Sequence, residues 1–578
     1  MKPSWKSKVP AAAALAALLA LIVLLYRPTL DGGWNFDDLS HIVNNPAIRL
    51  DSLSPSDLAR ATTGPLKNRP LAYLSFALDY WRAGITPEAR AFHVTNLCLH
   101  LAAVISAWFF LRALLAAPVF GLPWPRAAAL LCTAVFGLHP VQFQSVAYVV
   151  QRMNLLAGLF TLVAAGLWLW GRSRDGRRRA AGFAGAIIAA ALGLLCKETT
   201  AALTLLIPAL DLCLSGLDPR EWLLRRKLWL AALAAVALIG GAALFIGGNA
   251  LSGYARRDFT PSQRLLTQPR VILWYAGVWM FPAPARLSLE HDFPVSRSPF
   301  APLDTLPAAA ALLVLTAAAL VYARRAPLLC LGWLWFVGGL ALESSILPLE
   351  MVFEHRLYLP GIGLCLCAAD LLRRVRPGRA HAALVLVLVG LVAASSFARA
   401  RAWHSDLAVW RDAAAKAPAV SRPWANLCAV YFSRGDPDRA VAACQVAARR
   451  NPRDANAWFN LGLVRNSQDE FEAADEAFSR AIAQKPEWAE AFYQRGRVRA
   501  RLGRPEAEAD LARATSIAPA DPVYWYQLAA VLLAQKKTDA GRQALAQARQ
   551  NLNHADADLR AGLEGAIRQL EQQAEAPL

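Results

Sequence analysis

Long apolar runs separated by short clusters of arginine constrain the fold of this chain more than any other feature. The runs are about 17–25 residues long, the length that a helix rising about 1.5 Å per residue needs to cross a hydrocarbon core of about 30 Å. Hydrophobic residues make up 56% of the chain and charged residues 18%. The sequence therefore predicts a polytopic helical membrane domain and excludes a single soluble domain.

The apolar runs predict about eleven membrane-spanning helices between residues 1 and 400. The predicted spans cover approximately residues 9–26, 93–113, 126–145, 154–171, 180–196, 199–215, 228–247, 303–322, 327–348, 356–372 and 380–398. The first run follows three lysines and has no small-residue cleavage site behind it, so we expect it to be retained as a span. The apolar piece Val271–Phe281 is too short to span and is predicted to lie at the membrane interface.

The arginine clusters predict the orientation of these spans. The formal net charge of +19 comes largely from short loops between apolar runs, a pattern that indicates cytoplasmic loops rather than a nucleic-acid-binding surface. A cytoplasmic N-terminus places the clusters of residues 172–179, 220–227, 324–325 and 373–379 inside. The odd number of spans then exports the C-terminus, together with loops 27–90 and 248–302. We expect a bacterial inner-membrane protein.

A repeat follows the apolar part of the chain, over residues 401–555. Prolines recur at Pro418, Pro452, Pro486 and Pro519, at intervals of 34, 34 and 33 residues. Each proline is followed six residues later by a large aromatic residue and ten residues later by a small one or a cysteine. This spacing is typical of tetratricopeptide repeats, which bind extended peptides or partner proteins along a concave face. Residues 556–578 are predicted to form a C-terminal helix or tail.

The nine cysteines show no spacing that is typical of a metal site. Seven of them lie in the apolar runs, where a cysteine usually packs as a small apolar residue. Cys428 and Cys444 lie in the repeat region, and the sequence alone leaves open whether they form a disulfide.

Polar residues gather where the predicted spans meet the exported side. Ionisable groups at membrane depth are costly and are usually retained for function. Because nearly all of these polar residues fall on the same side of the membrane, we expect them to form one active cleft. The residues are Asp37, Asp38, Arg69, His93, His100, His139, Gln142, Gln144, Arg152, Lys197, Glu198, Glu290, His291, Asp292, Glu354, Arg356 and Tyr358.

The order of the motifs that carry these residues resembles the transmembrane and tetratricopeptide-repeat protein O-mannosyltransferases and their bacterial relatives, which are GT-C glycosyltransferases. The motifs are Phe36-Asp37-Asp38, Arg69-Pro70-Leu71, His93 with Asn96 and His100, His139-Pro140-Val141, Cys196-Lys197-Glu198 and Arg356-Leu357-Tyr358-Leu359-Pro360. The resemblance covers almost the whole chain. It implies an all-α GT-C-like membrane domain that moves one sugar from a polyprenyl phosphate to an exported acceptor, most simply a protein hydroxyl. The chain departs from the family at Gln142 and Gln144, where the family typically has His and Glu.

The resemblance also implies roles for the acidic residues of the first exported loop. Asp37 is the expected base, with Asp38 in support, because a carboxylate near apolar surface can have the raised pKa that proton transfer needs. The alternative is that one of the two merely caps the following helix.

Phosphate recognition would fall to Arg356, Lys197 or Arg152, since cations hold phosphate oxygens well. The alternatives are that Lys197 pairs with Glu198 at the membrane edge and that Arg356 snorkels.

Further candidates for binding the substrate are Arg69, His93, Glu198 and Tyr358. His139 and the run Glu290-His291-Asp292 form an additional candidate part of the cleft. The run has ligand types for a divalent cation or a substrate, and the alternative is an ordinary solvated loop. No cofactor is predicted beyond the lipid-linked sugar, and metal dependence stays open.

Two other classes of function fit the same sequence. One is a non-enzymatic membrane scaffold whose repeats recruit a partner for envelope assembly or secretion. The other is a transporter or a ligase for lipid-linked oligosaccharides. The transporter is disfavoured because the spans show no paired halves with matching broken helices.

Overall fold

The computed structural model describes residues 11–63, 66, 68–84, 88–246, 251–375, 378–554 and 557–575. All regular elements within these ranges are helices, which confirms the predicted all-α class. Contacts divide the chain into two compact units, Met1–Asp412 and Ala413–Leu578. The lysines before residue 9, on which the predicted N-terminal orientation partly rests, and Arg376 lie outside the described residues.

The first unit is built from a bundle of helices that we label α1 to α15 in chain order. These are Ala11–Tyr26, Pro55–Ala61, Pro70–Ala83, Ala89–Leu115, Pro125–Leu138, Phe143–Val146, Arg152–Arg172, Gly176–Leu194, Leu203–Ser215, Pro219–Ile246, Pro261–Met280, Thr305–Val321, Pro327–Leu340, Gly361–Leu372 and Arg379–Ala402. Most of the predicted spans coincide with one of these helices. Three of the predicted spans are longer than the helices observed.

The breaks in those three spans carry polar residues, and the break at His139 has a local cause in the sequence. The predicted span 126–145 is not one straight helix, because α5 ends at Leu138 and the chain bends by 46° before Pro140–Val146. Pro140 lacks an N–H and disfavours the α conformation at the preceding His139, whose ψ is 132°. Likewise α13 ends at Leu340 and α14 begins only at Gly361. The irregular chain between these two helices carries Glu343 and Arg356.

Five helical segments in the described part of the chain are long and apolar enough to cross a membrane, or six if the bent pair Pro125–Leu138 and Pro140–Val146 is one span. The five are Ala11–Asp31, Ala89–Leu115, Val149–Arg172, Glu198–Ser215 and Ala383–Ala402. The apolar helices α12, α13 and α14 are shorter, with 17, 14 and 12 residues. The chain is a multi-pass membrane protein, but the prediction of about eleven spans is not confirmed.

The apolar piece that was predicted to lie at the interface is the C-terminal part of the 20-residue helix α11. Val271, Tyr275 and Val278 are fully buried there. Packing inside the first unit therefore accounts for much of its apolar character.

Charged side chains collect at two ends of the first unit. At the first, which we call the polar end, Lys197 after α8 donates to Glu343 after α13, with Nζ and Oε1 2.8 Å apart. At the second, the arginine end, Asp211 of α9 contacts Arg172 of α7 and Arg226 of α10. The helices α7 to α9 therefore run in alternating directions between these ends.

The second unit and the segment before it consist of helices α16 to α25. These are Asp406–Lys416, Ser421–Ser433, Pro437–Arg450, Ala455–Ser467, Phe471–Gln484, Ala489–Arg501, Glu506–Ile517, Pro522–Ala534, Thr538–Gln550 and Ala557–Glu575. Helices α17 to α24 form four antiparallel pairs, one for each repeat of the sequence. The last helix, α25, buries Leu563 and Ile567 in the core of the fourth pair.

A recurring hydrogen bond links the two features that define the repeat. The indole Nε1 donates to the carbonyl of the proline six residues earlier in Trp424, Trp458 and Trp525, at 3.2, 2.9 and 2.8 Å. Helices pair closely where the small residue stands, since a Cβ on Gly462 would lie 2.6 Å from the Phe478 ring. The same two positions of the first repeat hold Cys428 and Cys444. They form a disulfide, with Cα atoms 5.2 Å apart.

Candidate functional site

The loop between α1 and α2 places two adjacent carboxylates in different surroundings. Asp38 is fully buried, and its oxygens accept the backbone N–H groups of Asn35 at 2.9 Å and Val150 at 2.7 Å. Burial raises the pKa of Asp38 to about 8, although both hydrogen bonds act to lower it. Its side chain does not cap the turn Leu39–Val43 that follows. Asp38 instead ties this loop to the segment before α7.

Asp37 is only half-buried, and polar side chains surround it. Its backbone N–H donates to the Tyr148 hydroxyl at 3.0 Å, and its carboxylate hydrogen-bonds the same side chain. Burial, followed by the charges of Asp37 and Asp38, raises the pKa of Tyr148, so this hydroxyl remains protonated. The preceding Phe36 has a φ of 46°, which costs about 1 kcal/mol or more for a bulky residue. The surrounding packing therefore holds this turn in place.

His41 and Tyr73 complete the surroundings of Asp37. The His41 Nδ1 and the Tyr73 hydroxyl are 2.7 Å apart. Burial lowers the pKa of His41, the charge of Asp37 opposes this shift, and the charge of Arg69 adds to it. We call Asp37, His41, Arg69, Tyr73 and Tyr148 the Asp37 cluster. It combines a carboxylate, an imidazole, a guanidinium and two phenols.

Arg69 forms a two-pronged ion pair with Glu198, with Nε to Oε1 at 3.3 Å and Nη2 to Oε2 at 2.9 Å. The third nitrogen, Nη1, donates to the Met153 sulfur at 3.3 Å, and a thioether is a weak acceptor. The Arg69 side chain is 19% exposed. Arg69 is thus held in a fixed orientation while part of its guanidinium faces a poor partner.

Lys197 pairs with Glu343 and not with its neighbour Glu198. The backbone at Lys197 is extended, with φ −162° and ψ 142°, and consecutive side chains of an extended chain point to opposite sides. Lys197 also donates to Asn154 Oδ1 at 3.2 Å. The predicted alternative, an ion pair between Lys197 and Glu198, is therefore wrong.

Arg356 is buried and does not snorkel. Its Nη1 donates to the Met351 carbonyl at 3.0 Å and its Nη2 to the Glu350 carbonyl at 2.6 Å. Its Nε has no hydrogen-bond partner among the described residues. Arg356 and Glu343 line one small cavity at the polar end.

Arg152, a predicted phosphate ligand, has all three guanidinium nitrogens engaged by protein acceptors. Nε donates to Asn96 Oδ1 at 2.7 Å, Nη1 to the Ser75 carbonyl at 2.9 Å, and Nη2 to Asp79 Oδ2 at 2.5 Å. The group also lies over the Phe76 ring, 4.7 Å from its centroid. This arrangement favours a structural role that joins α3, α4 and α7.

The remaining candidates lie deeper or farther apart. His93 Nε2 is 3.1 Å from the Gly32 carbonyl, and Tyr358 hydrogen-bonds His100 at 2.9 Å. His139 stacks on Trp279, with ring centroids 5.2 Å apart and planes at 4°.

The two glutamines that replace the family's titratable groups both bind backbone. Gln142 donates to the Phe136 carbonyl at 3.2 Å, and Gln144 accepts the N–H of His355 at 2.7 Å.

The run Glu290-His291-Asp292 does not form a cluster of ligands. Glu290 is buried, His291 contacts Glu354 with Nε2 and Oε1 3.1 Å apart, and Asp292 is exposed. Within the described ranges, no group of three or more His, Cys, Asp or Glu side chains could hold a metal ion. These side chains therefore do not fit the divalent cation considered for this run.

Sequence reasoning missed several residues that complete the site. His41, Tyr73 and Tyr148 carry no signal in the sequence, since isolated His and Tyr residues are common. Glu343 could have been found, because it lies inside the predicted apolar span 327–348, where a carboxylate is costly.

Comparisons with known proteins agree with this architecture. A family model described as tetratricopeptide repeat matches residues 455–487. The Drosophila melanogaster protein O-mannosyl-transferase Tmtc1 is 32% identical over 212 residues, covering 35% of this chain and 22% of that protein. The Caenorhabditis elegans protein O-mannosyl-transferase F38B6.6 is 22% identical over 455 residues, covering 75% of this chain and 62% of that protein. This chain is similar in sequence to these protein O-mannosyl-transferases.

The match covers 22% of the length of Tmtc1 and 62% of the length of the nematode protein. The chain therefore spans less than two thirds of either protein. A solved structure of MamA is 21% identical, with a TM-score of 0.25, and its match covers 26% of this chain and 87% of that one. The two sequence matches confirm the predicted resemblance to the protein O-mannosyl-transferases, and the family-model match confirms a tetratricopeptide repeat.

Proposed function

We propose that this protein is an integral-membrane glycosyltransferase that moves one sugar from a polyprenyl-phosphate donor to a hydroxyl of an exported acceptor, a protein in the first instance. The observation that carries the proposal is the Asp37 cluster, in which a half-buried carboxylate stands among polar side chains at one end of a membrane bundle. The names of the relatives support the same reaction class.

The proposed step needs a base and a cation. The Asp37 carboxylate takes the proton of the acceptor hydroxyl as its oxygen bonds to the anomeric carbon of the sugar. The bond between that carbon and the phosphate oxygen breaks, and the polyprenyl phosphate leaves with the electron pair. Asp38 is less suited to act as the base, because both of its oxygens already accept backbone N–H groups.

Arg69 is the cation that we assign to the leaving phosphate. It lies close enough to Asp37 that both charges act on His41. Its Nη1 can exchange the Met153 sulfur for a phosphate oxygen, which is a far stronger acceptor. Arg152 is less suited, because its protein partners would first have to be displaced.

A long apolar groove supports a lipid-linked donor. It has a volume of about 740 Å³ and lies between α5, α14, α15 and the end of α11. His139 and Trp279 form its wall near the polar end, and Leu372 and Val385 lie toward the arginine end. An isoprenoid chain is apolar along its whole length and matches such a wall. We propose this groove as the seat of the carrier lipid.

In the proposed orientation, the polar end faces the outside of a bacterial inner membrane, with the N-terminus in the cytoplasm. The repeat unit is exported and binds the acceptor protein or a partner that presents it. The positive-inside rule supports this arrangement. A disulfide in the first repeat is also expected of an oxidising compartment.

The test is a mass-spectrometric comparison of envelope glycoproteins and glycolipids in cells with the wild-type protein, without it, and with single variants. Asp37→Asn should reduce glycan transfer by about 10²–10⁴-fold, the usual contribution of a general base. The matched control is Asp31→Asn, which removes an exposed carboxylate of the same loop and should leave transfer intact. Undiminished transfer by Asp37→Asn would exclude the proposed base.

The repeats also favour a second candidate function, that of a non-enzymatic scaffold that recruits a partner protein. A scaffold would leave the glycans of the envelope unchanged when the gene is deleted, whereas a transferase would not. A scaffold would also tolerate Asp37→Asn and fail in a chain that ends after Asp412.

A further inference from the structure

A second groove, near the arginine end of the first unit, differs from the long apolar groove in carrying charge. It has a volume of about 380 Å³, within the usual range of ligand pockets, and lies between α12, α13 and α14. Its walls include Leu315, Ala319, Leu329 and Trp333, while Arg325 and Arg374 also line it. We call it the arginine-lined groove. It combines an apolar channel with two guanidinium groups.

The positive charge of this groove is not balanced by protein carboxylates. Arg374 shares the buried carboxylate of Asp370 with Arg373, at 2.7 and 2.8 Å. Among the described residues, no carboxylate lies within ion-pair distance of Arg325, whose side chain is exposed. One aspartate therefore serves two arginines, and a third stands beside them. This group of side chains therefore carries net positive charge, which is complementary to an anion.

The apolar wall indicates what kind of anion. The groove lies between apolar helices of a multi-pass membrane protein, and Leu315 and Tyr322 on α12 are 45% and 51% exposed. Ala318 and Ala319 have short side chains that leave room along α12. A free phosphate ion would gain nothing from this channel, whereas an acyl chain would fill it.

We propose that the arginine-lined groove binds an anionic phospholipid, with its acyl chain along Leu315, Ala319 and Trp333 and its phosphate between Arg325 and Arg374. Basic pockets between membrane helices bind anionic lipid headgroups. A zwitterionic lipid would bring a quaternary amine next to the same arginines. A membrane helix without an acidic residue would leave them unneutralised. This proposal does not depend on the proposed sugar transfer.

The test uses the purified full chain in phosphatidylcholine vesicles that contain a small fraction of phosphatidylglycerol with a photoactivatable acyl chain. After illumination, labelled peptides are mapped by mass spectrometry. We expect label concentrated on α12, α13 and α14 around the groove, which unlabelled phosphatidylglycerol displaces and phosphatidylcholine does not. Label spread evenly over lipid-facing helices, or equal labelling by a phosphatidylcholine probe, would overturn the proposal.

Two variants locate the binding. Arg325→Gln/Arg374→Gln should lower labelling of the groove by about tenfold or more, as loss of two phosphate contacts implies. The control Arg177→Gln/Arg178→Gln removes the same charge from the first turn of α8 and should not lower labelling of the groove. Ala319→Trp fills the channel without changing the charge and should also block labelling. Wild-type labelling in Ala319→Trp would exclude the groove even if the arginine variant failed to fold.

Discussion

The two ends of the first unit hold arginines and carboxylates in opposite ways. At the polar end, the principal ion pairs are Arg69 with Glu198, Lys197 with Glu343, and Arg152 with Asp79. At the arginine end, two buried carboxylates are each shared by two arginines, Asp211 by Arg172 and Arg226, and Asp370 by Arg373 and Arg374. Among these polar-end pairs only Asp79 is shared, with the exposed Arg82, so less positive charge is left over there than at the arginine end.

Burial explains the difference. Arg152, Lys197 and Glu343 are at most 8% exposed, and an uncompensated charge in such surroundings costs several kcal/mol. Arg172, Arg226 and Arg374 are 30%, 43% and 53% exposed, so water or lipid headgroups can complete their solvation. The polar end thus holds its charged groups in fixed positions, as a reaction site requires. The arginine end provides free positive charge, as contact with a membrane surface requires.

The largest effect should come from Arg152→Gln. The shorter amide cannot replace the contacts to Asn96, Ser75 and Asp79. Asp79 loses its buried cation and keeps only the exposed Arg82 and the Thr95 hydroxyl, both on its other oxygen. We expect the free energy of unfolding to fall by about 3–5 kcal/mol, the range measured when one partner of a buried pair is removed. The measurement is denaturant unfolding of the purified protein in detergent. A loss below about 1 kcal/mol would show that this end is no more rigidly paired than an exposed surface.

Lys197→Met should cost about 3 kcal/mol, since it leaves the Glu343 carboxylate buried without its cation. The double variant Lys197→Met/Glu343→Leu should recover most of this loss, because both desolvation costs disappear together. The same unfolding assay measures both chains and Glu343→Leu alone. Equal stability of the single and double variants would contradict the pairing of these two residues.

The repeats and most helices of the first unit could be predicted from sequence because their signals are local. The proline register corresponds to a real contact, the hydrogen bond from Trp458 to Pro452. The breaks at His139 and after Leu340 were missed. Hydropathy averaged over a window of residues is hardly changed by a single proline. A short polar turn next to an apolar run is likewise averaged into that run.

The sequence could predict which residues belong to the candidate site but not how they are arranged and paired. The polar end does bring together Asp37, Arg69, Lys197 and Arg356 from distant motifs. The sequence could not tell which cation pairs with which carboxylate, because this depends on backbone direction, as the extended Lys197 shows. Nor could it separate Asp37 from Asp38, whose different burial follows from contacts with Val150 and Tyr148.

The carboxyl of Asp38 makes the polar end sensitive to pH. Burial raises the pKa of this carboxyl to about 8 in the folded protein, whereas an aspartate exposed to water, as in the unfolded chain, has the ordinary value of 3.8. Between these values the folded protein retains a proton that the unfolded chain has lost, so stability falls as the pH rises. Between pH 5 and pH 7, the free energy of unfolding should fall by at most about 1.4 kcal/mol per pH unit. Unfolding at several pH values measures it, and Asp38→Asn should flatten the dependence. A wild-type slope unchanged by Asp38→Asn would assign the effect to another group.

The smallest effect should come from Arg172→Gln, the same chemical change as Arg152→Gln made at the arginine end. Asp211 would keep its bonds from Arg226 Nε at 3.0 Å and Trp222 Nε1 at 2.9 Å, so no buried carboxylate loses all its partners. We expect a loss below about 1 kcal/mol, as for partly exposed ion pairs. Unfolding of the two glutamine variants in one detergent gives the comparison directly. Equal losses would mean that exposure does not set the cost of these pairs, and the contrast between the two ends would then need another cause.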